Sequence, residues 1–332
     1  MRLPLSLLLL LLLMPPSHSL PSSPPATSFI FTDLDGTIIH YPASPSDAPP
    51  STSTLLLPLP PTSTGLVGYV SRKTVKLLHD LKYVHGVKIA IVTGARTTTA
   101  LARLPVFSFN GTSAIDYVVA ESGGRVFAVL EDGRVEEDED WARKLEPSLL
   151  SLRKREADLT ARGFVVDNSN YRTQFRLHRS KQPTPALVQA FDDLLASPDP
   201  PGLTQTTNLG HLDVYPSISG KAAAALHVLG KLEEEGERGE VYSCGDDEND
   251  IELALSPFVT SSFFPRLTSP LVKEAVDFGK ERNTFTGKGR EGGIMEDVEA
   301  TEKMLEIITG DVERRRGVGE RELAGEERRS EL

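Results

Sequence analysis

The segment SFIFTDLDGT, residues 28–37, decides the predicted fold of this chain. Its first half, residues 28–32, is apolar and β-branched, which is typical of a buried strand. The strand ends at a polar turn that contains Asp33 and Asp35. Because side chains two residues apart in a strand point to the same side, both carboxylates are expected to enter one pocket. Gly36 permits a sharp turn, and the adjacent backbone N–H groups can then bind an anion such as phosphate.

An Asp-x-Asp-Gly turn alone also fits an ordinary acidic turn or a metal-binding loop, so other parts of the chain must decide. Two further apolar runs end in the same way. Residues 87–92 are followed by Thr93 and Gly94, and residues 241–244 are followed by GDDEND at 245–250. In an open parallel sheet, ligands bind where the carboxyl ends of the strands meet. These polar groups are therefore predicted to converge on one crevice.

The order of the predicted elements indicates an α/β fold. Ser71 can cap a helix that continues to about Tyr83, between the first two strands. Strand, helix and strand in this order, with continuously apolar strands, favour a doubly wound, Rossmann-like parallel sheet with helices on its faces. Residues 117–120 are predicted as a third core strand. Residues 41–64 are rich in Pro, Ser and Thr and are predicted as a long surface loop.

After Ala120 the predicted strands become shorter, with helices between them, which is typical of an inserted α+β domain. The predicted elements of this region are the strands 125–130, 163–167, 174–178 and 212–215 and the helices 141–160 and 185–196. We place this insert, the cap, at residues 125–209 and the core at residues 27–124 and 210–310. Residues 311–332 are mostly Arg, Glu and Gly and are predicted to be a solvated or frayed helical tail.

Composition and charge exclude several classes of protein. A chain of 332 residues that is 39% hydrophobic can bury a larger core than a single small module. The net charge of −11 argues against nucleic acid as the main partner, because a polyanion needs a concentrated basic surface. Cys244 is the single cysteine of this sequence, and its apolar strand favours a buried side chain without a catalytic role. The histidines lack metal-ligand spacing, so His211 is predicted to be structural.

Residues 1–19 have the order of a signal peptide. Arg2 precedes an apolar run, and the small residues Ser17 and Ser19 precede the predicted cleavage site. The apolar run is shorter than the ~20 residues of a spanning helix, so no membrane span is expected after leader removal. We therefore expect entry into the secretory pathway, and the same leader fits plastid import in organisms that use that route. Nothing in the sequence indicates an oligomeric state.

Lys221 follows Ser219 and Gly220 at the start of a predicted helix, where the lysine and the helix N-terminus both attract anions. Alone, such a lysine is more often a surface residue. In chain order, however, the DxDGT motif from Asp33, Thr93, Lys221 and GDxxND at 245–250 match the four motifs of the haloacid dehalogenase-like superfamily. The resemblance covers residues 28–308. The interval between Thr93 and Lys221 resembles the cap of subclass IIB, which includes sucrose-phosphate phosphatase-like enzymes, mannosyl-3-phosphoglycerate phosphatases and phosphomannomutases.

The resemblance implies a phosphatase mechanism whose steps also make chemical sense. It assigns Asp33 as the nucleophile that forms an aspartyl-phosphate, and Asp35 as the general acid and then the general base. It assigns Thr93 and Lys221 to the phosphate, with Lys221 offsetting the charge that develops on it. The further phosphate-binding residues that it implies are Gly36, Gly94 and Asn249.

Four carboxylates around a phosphate would repel one another, and one lysine cannot neutralise them, so a divalent cation is required. Ligands that are all oxygen favour Mg²⁺ over Zn²⁺, which prefers His or Cys. The resemblance assigns this metal to the Asp33 side chain, the Asp35 backbone carbonyl and the Asp246 side chain. It places Asp250 beside Lys221 or a metal-bound water.

The leading hypothesis is hydrolysis of a small phosphorylated sugar or polyol under a cap that closes over it. LDVYP at 212–216 resembles the sucrose-phosphate phosphatase-like group, and FTDLDG at 31–36 equally resembles mannosyl-3-phosphoglycerate phosphatases, so the substrate stays undecided. Charges on a small domain are usually solvated, but several polar residues near predicted strand ends or in the cap are candidate substrate contacts. These candidates are Arg96, Glu121, Arg172, Arg176 and Asp213.

Two other functions stay open. A phosphomutase would use the same aspartyl-phosphate but return the phosphoryl group to a sugar. A binding module on an inactive phosphatase fold is the second alternative, and the intact motif set argues against it. A dehalogenase is disfavoured, because the dehalogenases of the superfamily lack the second acid that Asp35 supplies here.

Overall fold

The structure is a computed structural model that describes residues 26–44, 47–49, 54–62, 65–109, 111–208, 210–233, 238–288 and 293–330. The predicted leader at residues 1–19 lies outside these residues. Within the described parts of the chain, no helix combines the length and the apolar character needed to cross a membrane.

Single strands alternate with helices in the last part of the described chain, and before it the helices are separated by runs of up to five strands. The strands are β1 (Thr27–Thr32), β2 (Leu56–Pro58), β3 (Tyr69–Ser71), β4 (Lys88–Val92), β5 (Ser108–Phe109), β6 (Thr112–Ser113), β7 (Tyr117–Ala120), β8 (Arg125–Val129), β9 (Val135–Glu137), β10 (Val166–Asp167), β11 (Phe175–His178), β12 (Leu203–Asn208), β13 (His211–Pro216), β14 (Arg238–Cys244), β15 (Ser261–Phe264) and β16 (Asn283–Phe285). The α-helices are α1 (Arg72–Tyr83), α2 (Thr97–Arg103), α3 (Glu139–Ala161), α4 (Pro185–Leu195), α5 (Lys221–Glu233), α6 (Ile251–Ala254), α7 (Pro270–Phe278) and α8 (Ile294–Ser330).

An eight-stranded sheet forms the core, in the spatial order β16-β15-β14-β1-β4-β7-β8-β9. Neighbouring strands from β16 to β7 are parallel, whereas β8 and β9 pair antiparallel. The edge strand β9 carries exposed Glu136 and Glu137. β1 lies between β14 and β4, so the carboxyl ends of these three strands lie side by side. The residues that follow them, Asp33, Gly245 and Thr93, therefore meet at one edge of the sheet.

Alternating side chains of β1 pack against helices on both faces of the core sheet. Ile30 lies in one apolar cluster with Leu78 of α1 and Ile308 of α8. Phe29 and Phe31 lie in a second cluster, together with residues of α3 and α5. This follows from the period of two along a strand, which sends successive side chains to opposite faces. The predicted α/β fold with a doubly wound, mainly parallel core is confirmed.

A second, antiparallel sheet in the order β10-β11-β13-β12 forms the predicted α+β cap. Helices α3 and α4 cover one of its faces, where Leu152, Phe175 and Phe191 are fully buried. The residues of β11 and β13 that alternate with this apolar set, including the paired Arg176 and Asp213, lie on the opposite face. The cap therefore has its own apolar core and leaves one polar face uncovered by its helices.

The cap occupies a later part of the chain than the predicted range 125–209. β8 pairs with β7 and β9 pairs with β8, so both strands extend the core sheet. At the other end, β13 pairs with β11 and β12, so the cap sheet continues to Pro216. In a short, half-buried strand, buried and exposed residues alternate in the same way in the core sheet and in the cap sheet. Only the pairing partner shows which sheet the strand joins.

Part of the Pro-rich segment 41–64 forms a strand, where the sequence predicted a surface loop. Its described part contains β2, which pairs with β3 in an antiparallel hairpin. Leu56 and Leu59 are buried there. The loop prediction was wrong at β2, because a strand of three residues is too short to produce a periodic signal. At the other end of the chain, α8 extends through the predicted tail as far as Ser330.

Two leucines of α3 test the packing of the cap. Leu152 is fully buried, whereas Leu150 on the same helix is 80% exposed. Leu152→Ala should lower the free energy of unfolding by about 2–5 kcal/mol, because it leaves a cavity in the cap core. Leu150→Ala, the matched control, should change it by less than about 0.5 kcal/mol. Urea denaturation followed by circular dichroism measures both values, and equal losses would contradict this packing.

Candidate active site

Four polar residues from different elements meet at the carboxyl edge of the core sheet. Asp33 follows β1, Thr93 follows β4, Asp246 follows β14 and Lys221 begins α5. All four are buried, and the most exposed of them, Asp33, is only 6% exposed. Lys221 Nζ donates hydrogen bonds to Asp33 Oδ1 at 2.6 Å and to Asp250 Oδ1 at 2.7 Å. The motif residues that the sequence singled out therefore lie together in space.

This cluster contains three carboxylates, those of Asp33, Asp246 and Asp250, but its positive charge comes from the Lys221 ammonium group. Burial raises the pKa of Asp33 to about 8 despite the opposing attraction of Lys221, and the charge of Asp250 adds to the rise. Burial and the charge of Asp33 also raise the pKa of Asp246 well above its usual value. Holding these groups ionised is therefore costly without a further positive charge.

The donor atoms of the cluster fit a divalent cation. Carboxylate oxygens of Asp33, Asp246 and Asp250 lie within 4.8 Å of one another. Asp250 already has partners, because its Oδ1 accepts from Lys221 and its Oδ2 accepts the backbone N–H groups of Asp246 and Asp247 at 3.1 and 3.2 Å. Asp33 and Asp246 are thus the better cation ligands, and an all-oxygen set suits Mg²⁺ more than Zn²⁺.

Gly36 allows the turn after β1 to approach the loop after β14. Its φ of +94° lies in the region that favours glycine, and a Cβ there would lie 2.1 Å from Asp246 Oδ2. The next residue, Thr37, donates from Oγ1 to Asp246 Oδ1 at 3.2 Å. The position of Asp246 therefore depends on the absence of a side chain at residue 36.

Two residues that the sequence did not indicate hold the carboxylate of Asp35. Asp35 Oδ1 accepts hydrogen bonds from Arg103 Nη1 and from the Tyr41 hydroxyl, both at 2.5 Å. Arg103 ends α2 and is 1% exposed. The available signal was a charged residue inside the otherwise apolar run ALARLP, residues 100–105. The role of the Asp35 backbone carbonyl as a metal ligand stays a prediction.

The loop after β4 is in contact with the cap. Thr93 Oγ1 accepts the N–H of Ala95 at 3.1 Å, which aligns its hydroxyl at the start of this loop. Gln174 of the cap donates from Nε2 to the Gly94 carbonyl at 3.2 Å. Asn249, in the loop after β14, is half-buried, and its Oδ1 has no hydrogen-bond partner in the described parts of the chain. Phosphate binding by these loops stays a prediction.

Glu121 attaches the cap to the core. It follows β7 with a φ of 54° and is fully buried. Its Oε1 accepts from Thr97 Oγ1 at 2.7 Å. Its Oε2 accepts from the backbone N–H groups of Arg172 and Thr173 and from Thr173 Oγ1, each at 2.8 Å. Because both oxygens bind protein groups, the geometry favours a structural role over the predicted substrate contact.

The other residues predicted to contact the substrate differ in their surroundings. Arg176 donates from Nε and Nη2 to the two carboxylate oxygens of buried Asp213, at 2.5 and 2.6 Å. Arg96 Nη2 donates to Asp167 Oδ2 of the cap at 2.7 Å. Arg172 is exposed. Arg176 and Asp213 therefore form one ion pair on the uncovered face of the cap sheet, and Arg96 links the core to the cap.

Comparisons with known proteins add information on the fold. No family model and no curated protein matches this sequence. Among solved structures, the sucrose-phosphatase of Synechocystis sp. PCC6803, in complex with sucrose and phosphate, has a TM-score of 0.52 at 16% identity, over 83% of this chain and 98% of that chain. A haloacid dehalogenase-like hydrolase from B. subtilis has a TM-score of 0.51 at 11% identity, over 84% and 98%. A protein of Thermotoga maritima has a TM-score of 0.50 at 14% identity, over 85% and 97%.

At these identities the likeness concerns the fold, and it extends over nearly the whole of each solved chain. The chain has the fold of the haloacid dehalogenase-like hydrolases, and the sucrose-phosphatase shares that fold. The resemblance that the motifs indicated is confirmed at this level.

Glu121→Gln should loosen the attachment of the cap while leaving the buried charge cluster intact. A glutamine amide accepts at one atom only, so a buried donor loses its partner at a cost of ~1–3 kcal/mol. Amide hydrogen exchange at Arg172 and Thr173 should therefore become about 10-fold faster. Glu137→Gln, which changes a carboxylate paired with Arg125 at the sheet edge, is the control. Unchanged exchange at both amides would contradict the role of Glu121.

Proposed function

We propose that this chain is a phosphatase that hydrolyses the phosphate monoester of a small sugar or polyol and uses Mg²⁺. The observation that carries the proposal is the buried cluster after β1, in which Asp33 Oδ1 lies 2.6 Å from Lys221 Nζ and beside Asp246. A carboxylate nucleophile, an ammonium group and oxygen ligands for a cation are the groups that phosphoryl transfer needs. The haloacid dehalogenase-like fold supports the same conclusion.

In the proposed reaction, the phosphate binds between the strand ends. Thr93 donates a hydrogen bond from its hydroxyl to a phosphate oxygen, and Lys221 offsets the charge that develops on the transferring group. Asp250 holds Lys221 in place through the 2.7 Å hydrogen bond to its ammonium group. Thr207 of the cap donates from Oγ1 to Glu248 of the core at 2.8 Å, and this contact supports a cap that covers the bound substrate.

Hydrolysis then takes two steps. Asp33 attacks phosphorus, the bond to the leaving oxygen breaks, and Asp35 gives that oxygen a proton. A water molecule then attacks the aspartyl-phosphate and gives a proton to Asp35, which frees Asp33 and releases phosphate. When bound, Mg²⁺ supplies positive charge that lets the carboxylates and the phosphate approach one another. Asp33 and Asp246 would hold it, with the Asp35 backbone carbonyl as the ligand that the resemblance implies.

The cap supports the proposed substrate class. Arg176, Asp213 and Tyr215 lie on the face of the cap sheet that α3 and α4 leave uncovered. Both Asp213 oxygens accept from Arg176, so it is the Arg176 guanidinium, held in place by Asp213, that offers further N–H donors to a ligand rich in hydroxyls. The sucrose-phosphatase that shares this fold was solved with sucrose and phosphate. A phosphorylated sugar or polyol is therefore the proposed substrate.

Phosphate release from a panel of sugar and polyol phosphates tests the proposed function. The protein without residues 1–19 should release phosphate when Mg²⁺ is present, and EDTA should abolish this release. Asp33→Asn should lower kcat by at least about 1,000-fold, because the nucleophile is lost. Asp192→Asn, the control, changes an exposed carboxylate paired with Arg179 and should have no effect. If the wild type releases phosphate from every ester no faster than Asp33→Asn does, the proposal is overturned. If the protein instead returns the phosphoryl group to a sugar when an activating bisphosphate is present, it is a mutase.

A comparison of Gly36→Ala with Gly65→Ala distinguishes an effect on the cation site from an effect of backbone strain alone. Both glycines have positive φ, +94° and +82°, but a Cβ at Gly65 meets nothing within 4 Å, whereas one at Gly36 meets Asp246. Gly36→Ala should raise the Mg²⁺ concentration for half-maximal activity by about 10–100-fold, because Asp246 is displaced. Gly65→Ala should leave it unchanged. A Mg²⁺ titration of phosphate release measures both, and equal values would argue against Asp246 as a ligand.

A further inference from the structure

The Asp35 carboxylate has one oxygen that is held and one that is open. Oδ1 accepts from Arg103 Nη1 and from the Tyr41 hydroxyl, both at 2.5 Å. Oδ2 forms no hydrogen bond within the described ranges of the chain, and the Asp35 side chain is 29% exposed. The two oxygens of this carboxylate therefore differ in what they can do.

The donors around Oδ1 decide where a proton on Asp35 lies. Arginine carries only donors. The Tyr41 oxygen accepts from Arg103 Nη2 at 2.6 Å, so its own O–H is directed to Asp35 Oδ1. A proton on Oδ1 would face two other protons, whereas a proton on Oδ2 faces none. Oδ2 is therefore the oxygen at which a proton can be given or taken without meeting another donor.

A purely structural role explains less of this geometry. Arg103 is 1% exposed, and its Nε lacks a hydrogen-bond partner among the residues that the structure describes. Burying a guanidinium group with an unpaired N–H costs folding free energy, and an apolar residue of similar volume would avoid this cost. The arginine is therefore better explained by what it does to Asp35 than by stability.

We propose that Arg103 and Tyr41 are positioning residues that make Oδ2 the atom through which Asp35 exchanges protons, an inference that rests on the proposed function. In the first step, Asp33 bonds to phosphorus, the bond to the leaving oxygen breaks, and the proton on Oδ2 passes to that oxygen. In the second step, the oxygen of water bonds to phosphorus, Oδ2 takes a proton from this water, and the bond from phosphorus to Asp33 breaks. Arg103 and Tyr41 keep their protons in both steps.

Substrates with different leaving groups test this positioning. p-Nitrophenolate leaves without a proton, whereas the alkoxide of a sugar needs one, and kcat/KM reports only the steps up to leaving-group departure. Arg103→Met should lower kcat/KM by about 100-fold for the sugar phosphate that the panel ranks first, but by less than about 3-fold for p-nitrophenyl phosphate. Tyr41→Phe should lower it by about 10-fold with the same selectivity, because one donor remains. Asp35→Asn should show the largest difference between the two substrates in the loss of kcat/KM.

Arg282→Met is the matched control. Arg282 is also an arginine of the core, half-buried, and donates from Nη1 to the Val259 carbonyl at 3.2 Å. Its replacement should change kcat/KM for the two substrates by equal factors. Thermal unfolding of each variant checks folding, and Tyr41→Phe keeps the test decisive if Arg103→Met does not fold.

The outcomes separate this inference from the proposed function. Suppose that the wild type is active, but that Tyr41→Phe, and Arg103→Met if it folds, lose kcat/KM by equal factors on both substrates. This result would overturn the positioning role and leave the proposed phosphatase activity intact. Equal losses in Asp35→Asn would remove its role as the acid and overturn the inference as well. A wild type that is inactive on both substrates would overturn the proposed function and this inference with it.

Discussion

The ammonium group of Lys221, held between Asp33 and Asp250, is the interaction on which the arrangement of the candidate site depends. Parallel strands that end side by side bring the carboxylates that follow them into one buried space, where their repulsion is only weakly screened. Lys221 balances part of this charge from the N-terminus of α5, and backbone N–H groups of the loop after β14 stabilise Asp250. What remains is a concentrated negative charge that favours a cation.

The position of β1 in the sheet explains why so few residues are enough to build this site. β1 is the common neighbour of β14 and β4, so its polar turn lies between the loops that follow these two strands. Two glycines allow close approaches there, Gly36 between the β1 turn and the loop after β14, and Gly245 within that loop itself. A Cβ at Gly36 would overlap the Asp246 carboxylate, and one at Gly245 would lie 2.4 Å from the Asp250 Cβ. Backbone geometry and charge therefore constrain the same few residues.

The parts of the site that could be predicted are those with a local signal. Asp33, Thr93 and Asp246 each follow an apolar run, and such a run indicates both a strand and the edge at which it ends. Arg103 has no comparable signal, because it contacts Asp35 across 68 residues of sequence and only through the packing of α2. Glu121 was recognised as a polar residue near a strand end, but its partners, the backbone N–H groups of the cap, leave no pattern in the sequence. The cap boundaries failed for a different reason, since the alternation within β8 and β13 does not show which sheet each strand joins.

The edge strand β9 has a consequence for contacts between chains. The outer strand of a sheet exposes backbone N–H and C=O groups to which a strand of another molecule can add. β9 is only 3 residues long and presents the exposed carboxylates of Glu136 and Glu137. A strand of another molecule that paired with β9 would have to desolvate these charges. In return it would gain only the few backbone hydrogen bonds that a strand of this length can form. At this edge the sheet is therefore a poor template for aggregation, although it already contains eight strands.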